Sequence, residues 1–377
     1  MMTLAMAMMA VSVIFLIYTY LGYPILVFLA AQFRTKPIAS RPIYPSVTFV
    51  IAIWNEETYI QRKIVNILSQ SYPAEKIDIL FVLDGATDYS RAVVNTWSAQ
   101  FGNITFRSIS QRKGKAAALN LGIAQAKGDI IVLTDARQLF ELNTLAKLVS
   151  NFADPSVGAV SGALYLDGKH DAVGKSFSSY WDYEKWIRKS ESDFYSAIGL
   201  TGAVSAIRRE LYQPMPEGVI LDDLMIPMRI SMQGYRVIFD EKAIAFDDAT
   251  IEYGRELKRK IRTLSGNFQL LSFMPELLSI RKNKCWFQYC SHKITRLLAP
   301  LFVGGLLVSN LFVREGIYLF TLIGQILFYS LACVGILTKD LVKKHPLLSV
   351  PRTFIMLNYA VCAGFAKFVA RRDNVWI

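Results

Sequence analysis

Residues 130–134, IIVLT, form a short apolar run entered through Gly128 and Asp129 and left through Asp135. A run of this kind reads as a buried strand of a parallel sheet. In open α/β sheets, ligands bind beyond the carboxyl ends of the strands. Asp135 stands at such an end, where a hard carboxylate can hold Mg²⁺ or Mn²⁺ against substrate phosphates. A lone Asp is equally what a turn uses to cap a loop, so its meaning depends on the rest of the chain.

The 377 residues are 53% hydrophobic and carry a formal charge of +12. A mean hydropathy of +0.31 and clustered apolar runs indicate a membrane protein with a substantial soluble domain. A pI near 9.4 does not point to nucleic acid, because the basic residues gather beside the apolar spans. That placement suits membrane lipids with anionic head groups and the cytoplasmic excess of Lys and Arg. Cys285, Cys290, Cys333 and Cys362 show no CxxC and no zinc spacing, and read as free thiols. With only His170, His292 and His345 present, acid–base chemistry falls to carboxylates.

Residues 4–32 carry no charge, enough for a helix to cross a bilayer. LAA at 29–31 could pass for a signal-peptide cleavage site, but the stretch is long and no basic segment precedes it, so it reads as an anchor. Arg34, Lys36 and Arg41 follow, which places residue 34 onward in the cytoplasm. Pro37, Pro42 and Pro45 mark a linker. Then strands at 47–54, 77–83, 104–109 and 130–134 alternate with helical patterns after Asn55-Glu56-Glu57, at about 90–100, and after Arg112-Lys113-Gly114-Lys115. Such alternation with short joints argues for a doubly wound, mostly parallel sheet.

After Asp135 the alternation loosens. Residues 159–166 read as a strand, 174–191 as an aromatic and basic helix, and 204–208 as a strand behind the Gly-rich turn at 199–203. Leu221-Asp222-Asp223 opens a helix ending near Gly234, and 235–246 reads as one or two strands. The basic, partly amphipathic stretch 252–284 suggests helices lying in the membrane interface. Residues 297–313 and 316–338 form a hairpin of uncharged spans, the first somewhat short. Lys339, Lys343 and Lys344 beyond it suit the cytoplasmic side. A third candidate, 347–370, contains Pro351 and Arg352, and if it crossed it would leave Arg371 and Arg372 outside.

Asp84, Asp135 and Asp223 thus fall at strand or loop ends of one domain. A sugar nucleotide needs a polar contact for its base, cations at its diphosphate and a carboxylate base for the acceptor hydroxyl. Lys113 and Lys115 can serve the base or the phosphates, and the Gly-rich turn allows close backbone approach.

In these motifs the chain resembles the membrane-bound family 2 glycosyltransferases of GT-A fold, the group of cellulose, hyaluronan and poly-N-acetylglucosamine synthases. The likeness covers roughly 45–285, with flanking membrane helices of matching layout. VTFVIAIWNEE resembles the group's opening strand and nucleotide-contacting loop, and DGATD its base-contacting motif, here Asp84. RKGKAAALN matches the segment lining the nucleotide pocket, with Lys113, Lys115 and Asn120. LTDAR stands where the family has its metal-binding DxD, which implies Asp135 as ligand to Mg²⁺ or Mn²⁺. GLTGA, with Gly202, resembles the acceptor-site turn. LDD stands for the TED motif, which implies Asp223 as general base beside Asp222. Two positions depart from the pattern. Arg137 replaces the second Asp of DxD, where it either leaves the metal short of a ligand or contacts phosphate itself. QxxRW reads as Arg259-Lys260-Ile261-Arg262-Thr263, so Arg262 is kept and the Trp that stacks on the acceptor sugar is not.

The resemblance implies an anchor at 1–34, a GT-A domain at 45–250, basic interfacial helices at 251–296 and a membrane region at 297–377. It implies inverting transfer from a nucleotide-sugar, UDP-linked by expectation, to a growing polysaccharide at the cytoplasmic face of the cell's inner (plasma) membrane, with polysaccharide export partners. Single transfer onto a polyprenyl-linked or other lipid-linked acceptor is the alternative, suggested by the missing Trp. An inactive scaffold of an export complex, suggested by Arg137, is disfavoured by Asp84, Lys113, Asp135 and Asp223 being present together.

Overall fold

The computed structural model describes residues 2–33, 35–166, 172–247, 253–313, 316–338 and 348–370. Helix α1, Met2–Phe33, contains a π turn at Tyr18–Gly22. An extended segment with the three linker prolines leads to β1 (Val47–Ile53), α2 (Glu57–Leu68), β2 (Ile77–Asp84), α3 (Ser90–Gln100), β3 (Ile104–Ile109), α4 (Lys115–Gln125) and β4 (Ile130–Leu133). These four strands are parallel, in the order β3-β2-β1-β4. The central ones are mostly apolar because both faces of the sheet are covered. Phe49 and Ile51 join Ile60 and Ile64 of α2 in one buried cluster. Val50 and Ile131 join Leu119 and Ile123 of α4 in another. Each such side chain contributes about 1.5–3 kcal/mol by leaving water.

The chain continues through β5 (Leu139–Phe140), α5 (Thr144–Ser150), β6 (Val157–Leu166), α6 (Ala172–Phe194), β7 (Ser205–Arg208), α7 (Asp222–Met232) and β8 (Arg236–Asp247). The full order is β3-β2-β1-β4-β7-β6-β8-β5, with β7 antiparallel to β4 and β6, β5 antiparallel to β8, and β6 parallel to β8. The sheet is mixed and mostly parallel. The stretch expected at 235–246 as one or two strands forms one, Arg236–Asp247, with a register shift against β6 between Gly162 and Ala163. A bulge of this type bends a long strand without ending it. Because β7 runs against β4, the turn before β7 lies beside the end of β4, where the Thr134 hydroxyl donates to the Ala203 carbonyl at 2.7 Å.

Helices α8 (Tyr253–Phe273), α9 (Trp286–Phe312), α10 (Ile317–Leu337) and α11 (Ser349–Val369) complete the described chain. Among the described residues, α1, α9 and α10 are long and apolar enough to cross a membrane. Phe15 of α1 stacks on Phe302 of α9, with ring centroids 3.7 Å apart. The span expected from 297 begins at Trp286 instead. Its early charges conceal the helix in sequence, but His292 is buried between Glu184 and Glu191 of α6, at 3.1 and 2.8 Å. The third candidate is helix α11, which falls outside the membrane-crossing set and lies against α8. A Cβ at Gly364 would come within 2.8 Å of the Ser265 amide nitrogen, so the two backbones touch there. The basic residues expected to flank the spans at 34, 314, 339, 343, 344, 371 and 372, with Glu315, lie outside the described residues.

Candidate functional site

The carboxyl ends of β1, β2 and β4 open on a cleft of about 400 Å³, lined by Trp54, Glu56, Tyr59, Asp84, Arg112, Lys115, Asp135, Arg137 and Gln138, with Ala52, Ile53 and Ala136. Its rim is built by loops that cap one another. Asn55 takes a left-handed conformation, φ 54°, which its side chain tolerates, and its Oδ1 accepts the Thr87 N–H at 2.8 Å. Asp88 accepts the Glu57 N–H at 3.1 Å, and Glu57 accepts the Tyr89 N–H at 2.7 Å. The acidic residues after β1 and β2 thereby close each other's helix starts.

Asp84 is buried and accepts the N–H groups of Lys113 and Gly114, both at 2.7 Å. Its first task is to pin the 112–114 loop, which makes a close pass: a Cβ on Gly85 (φ +64°) would sit 2.5 Å from the Arg112 nitrogen. So held, the Arg112 guanidinium lies over the Trp54 ring at 3.5 Å and forms a flat cationic wall. Lys113 is exposed, 4.0 Å from Glu217.

Lys115 joins the two halves of the site. Its Nζ is 2.9 Å from Asp135 and 3.4 Å from Asp222. Burial works against its charge, but Asp135 and Asp222 outweigh it and hold its pKa above the lysine range. Gly202 completes the join, since a Cβ there would stand 3.6 Å from Lys115 Nζ and 3.9 Å from the Asp223 Cβ. Burial, then the Asp222 charge, push Asp223 up to about 6, against the pull of Lys115, Lys293 and Arg188. That suits a base, which is deprotonated at neutral pH yet retains proton affinity. Burial lowers the pKa of Arg262, and the charges of Asp222 and Asp223 partly offset it.

Other residues singled out in the sequence lie elsewhere or act differently. Asn120 accepts the Tyr212 hydroxyl at 2.6 Å and the Met215 N–H at 2.9 Å, and donates to the Met215 carbonyl at 2.8 Å. It holds the loop after β7 and does not line the cleft. Arg259 makes a two-pronged pair with Glu256 at 2.7 and 2.8 Å, over the Trp181 ring. Arg137 does line the cleft, but its Nη2 is 2.8 Å from the buried carboxylate of Asp247, which also accepts from Gln138 at 2.9 Å.

Sequence reasoning did not single out Trp54, Arg112, Asp247 or Lys63. Trp54 and Arg112 stand inside the quoted motifs, and an exposed aromatic beside a strand end was a signal for them. Lys63 carried none. It is fully buried and donates to Thr134 at 2.8 Å and to the Gln138 carbonyl at 2.7 Å, bracing the Asp135 loop from below.

Among the described residues no three His, Cys, Asp or Glu meet at metal-binding spacing. Asp135 is half-exposed, with one oxygen on Lys115, and Glu56 lines the same cleft under its influence. One or two carboxylates completed by substrate oxygens fit Mg²⁺ or Mn²⁺, whereas an all-protein cage is not built.

Residues 48–215 match the model of Glycosyl transferase family 2. Poly-beta-1,6-N-acetyl-D-glucosamine synthase of Staphylococcus aureus (strain COL) is 24% identical over 254 residues, 66% of this chain and 60% of that protein. Probable glycosyltransferase YdaM of Bacillus subtilis (strain 168) is 23% identical over 279 residues, 71% of this chain and 65% of that one. The matched part therefore spans less than two thirds of these relatives' lengths. Among solved structures, mannosyltransferase PcManGT from Pyrobaculum calidifontis, in complex with GDP-Man and Mn²⁺, superposes with a TM-score of 0.73 at 23% identity, covering 96% of this chain and 99% of that one. Residues 48–215 are thus similar to family 2 glycosyltransferases, in a domain of GT-A fold joined to helices apolar enough to cross a membrane.

Proposed function

We propose that the protein transfers a sugar, with inversion, from a nucleotide-sugar to an acceptor hydroxyl at the cytoplasmic face of a cell membrane. The observation that carries this reading is Lys115, which ties Asp135 in the donor cleft to the Asp222–Asp223 pair at the base position. Transfer would proceed by one in-line displacement at the anomeric carbon. Asp223 takes the proton of the attacking hydroxyl, and its pKa near 6 lets it do so at neutral pH. One base suffices because a nucleoside diphosphate is already a good leaving group, so the two-carboxylate arrangement of glycosidases is not required.

The Trp54–Arg112 wall offers a stacking face to a base or sugar ring, and Lys115 brings positive charge to the diphosphate side. Asp135, with Glu56 beside it, would hold a divalent cation jointly with the donor. Such a cation, when bound, neutralises charge developing on the leaving diphosphate. The motif resemblance favours a UDP-sugar as donor, and the likeness to PcManGT, solved with GDP-Man, keeps GDP-mannose as a second candidate. The acceptor by the first resemblance is a growing polysaccharide, with single transfer to a lipid-linked acceptor as the second reading. Asp223→Asn tests the mechanism. Turnover should fall by about 10²–10⁴-fold with donor affinity unchanged, and activity within a few-fold of the parent would sink the assignment.

A further inference from the structure

Asp223 also faces a cationic cluster that does not line the donor cleft. Arg188 and Lys293 act on its carboxylate. Around them Lys260, Arg259 and Arg296 meet Glu184, Glu191 and Glu256. Glu184 and Glu256 are engaged through both oxygens, and Glu191 through Oε1, its Oε2 being buried with no hydrogen-bond partner. Glu184 binds His292 Nε2 at 3.1 Å and Arg296. Glu191 accepts the Tyr23 hydroxyl at 2.6 Å and pairs with His292 Nδ1 at 2.8 Å. Glu256 is held by both prongs of Arg259.

What remains is more cationic donors than that one free carboxylate oxygen can satisfy. Among the described residues, the Lys293 ammonium makes no hydrogen bond or ion pair, and Arg296 Nε and Nη2 are buried without an acceptor. Arg188 spends Nη1 on the Thr201 hydroxyl at 2.7 Å, in the turn that carries Gly202. Orphaned buried donors and an unpaired ammonium are costly unless something else supplies the acceptors. Lys293 and Arg296 both belong to α9, and Lys293 lies in its π turn, Cys290–Ile294, an irregularity frequent at binding sites. Ionisable residues on a membrane-crossing helix characteristically mark a substrate path.

We propose that Lys293, Arg296 and Arg188 bind the phosphate or diphosphate of a lipid-linked acceptor and so present its sugar hydroxyl to Asp223. The chemistry selects this ligand. The hydroxyls of a neutral glycan do not compensate an ammonium, whereas a phosphate carries the charge and several acceptor oxygens. Its lipid chain accounts for the cations standing on a helix apolar enough to enter the bilayer. The inference rests on the transferase reading. In the step it serves, the acceptor oxygen bonds to the anomeric carbon and the bond from that carbon to the donor phosphate oxygen breaks. Its electron pair leaves on the nucleoside diphosphate, and the hydroxyl proton goes to Asp223.

The test uses the full chain in phosphatidylcholine nanodiscs, with the tighter-binding of UDP and GDP present at saturation so that the donor cleft is filled. Binding of farnesyl diphosphate, farnesol and inorganic diphosphate is measured for the parent, Lys293→Met, Lys293→Gln and Lys293→Arg. Farnesyl diphosphate should bind at least about tenfold tighter than either fragment. Met and Gln at 293 should each weaken it about tenfold or more, and Arg should restore it, because truncating a desolvated charge partner costs at least that much. Nucleotide affinity should stay within twofold throughout, which also reports that each variant is folded. Equal binding of farnesol, or farnesyl diphosphate affinity within twofold in both neutral variants, would overturn the proposal. So would displacement by phosphatidylglycerol included in the nanodisc, which assigns the site to bilayer head groups. Nucleotide binding without farnesyl diphosphate binding refutes this inference alone. Absence of nucleotide binding in the parent refutes the transferase reading beneath it.

Discussion

The Arg137 guanidinium lies 2.8 Å from the Asp247 carboxylate, which is almost fully buried. Arg137 occupies the position of the second acid in DxD, and an acid from the end of β8 meets it there. The pair holds the rim of the cleft and offsets the charge that Arg137 would otherwise present to the donor. Arg137→Ala should therefore cost about 1–3 kcal/mol of stability by taking a cation from the buried Asp247 carboxylate, while UDP affinity falls less than about threefold. Adding Asp247→Ala should recover part of that loss. Thermal melts and calorimetry on the two single variants and the double variant measure this. A tenfold loss of UDP affinity in Arg137→Ala with an unchanged melting temperature would show that Arg137 serves phosphate directly.

Lys63 gives a pH signature. Burial pulls its ammonium down to about 7, against the attraction of Asp135, from an ordinary value of 10.5. Between these values the unfolded chain binds the proton and the folded chain does not, so stability rises with pH across that window. Below pH 7 the burial cost is present in full. Relative to Lys63→Met, the parent should gain stability between pH 7 and 9, read as a shift of the melting-temperature difference in the parent's favour. A constant difference would show that Lys63 keeps its charge throughout.

Asp223 and Asp222 set the acid limb of the rate. The limb of kcat/KM should show an apparent pKa near 6, with activity lost as pH falls below it and the base becomes protonated. Asp222→Asn removes a charge that raises Asp223, so the limb should move to lower pH. A limb that stays in place in Asp222→Asn would separate the two residues.

Metal and nucleotide should bind as one event. Asp135 and Glu56 supply too few oxygens to dehydrate Mg²⁺ alone, so metal affinity without nucleotide should be poor. By linkage, metal must strengthen UDP binding by the factor with which UDP strengthens metal binding. Asp135→Ala should abolish that coupling, and Glu56→Gln should reduce it. Calorimetry of UDP with Mg²⁺, with Mn²⁺ and with chelator reads it directly, and equal affinity in chelator would remove the cation from the proposed function.

The sequence by itself determined the parts whose information is local. Continuous apolar runs specify β1, β2 and β4, because strands buried on both faces need no alternation. Carboxylates at the ends of those runs located Asp84 and Asp135, and LDD located Asp223. An uncharged stretch of bilayer length specified α1 and most of α9 and α10. Only the tertiary structure decided which charges meet. Arg137 and Asp247 lie 110 residues apart, and no periodicity links them. Arg259 reads as a site residue by motif, yet Glu256 one turn away captures it. Lys63 sits on the buried face of α2 and finds its acceptors only when the Asp135 loop closes over it. Polar residues at 292, 293 and 296 broke the apolar pattern and hid the start of α9, whereas in the fold α6 brings Glu184 and Glu191 to His292 and Arg296. Hydropathy scores a residue without its partner, and for a buried charge the partner decides whether the position is tolerable.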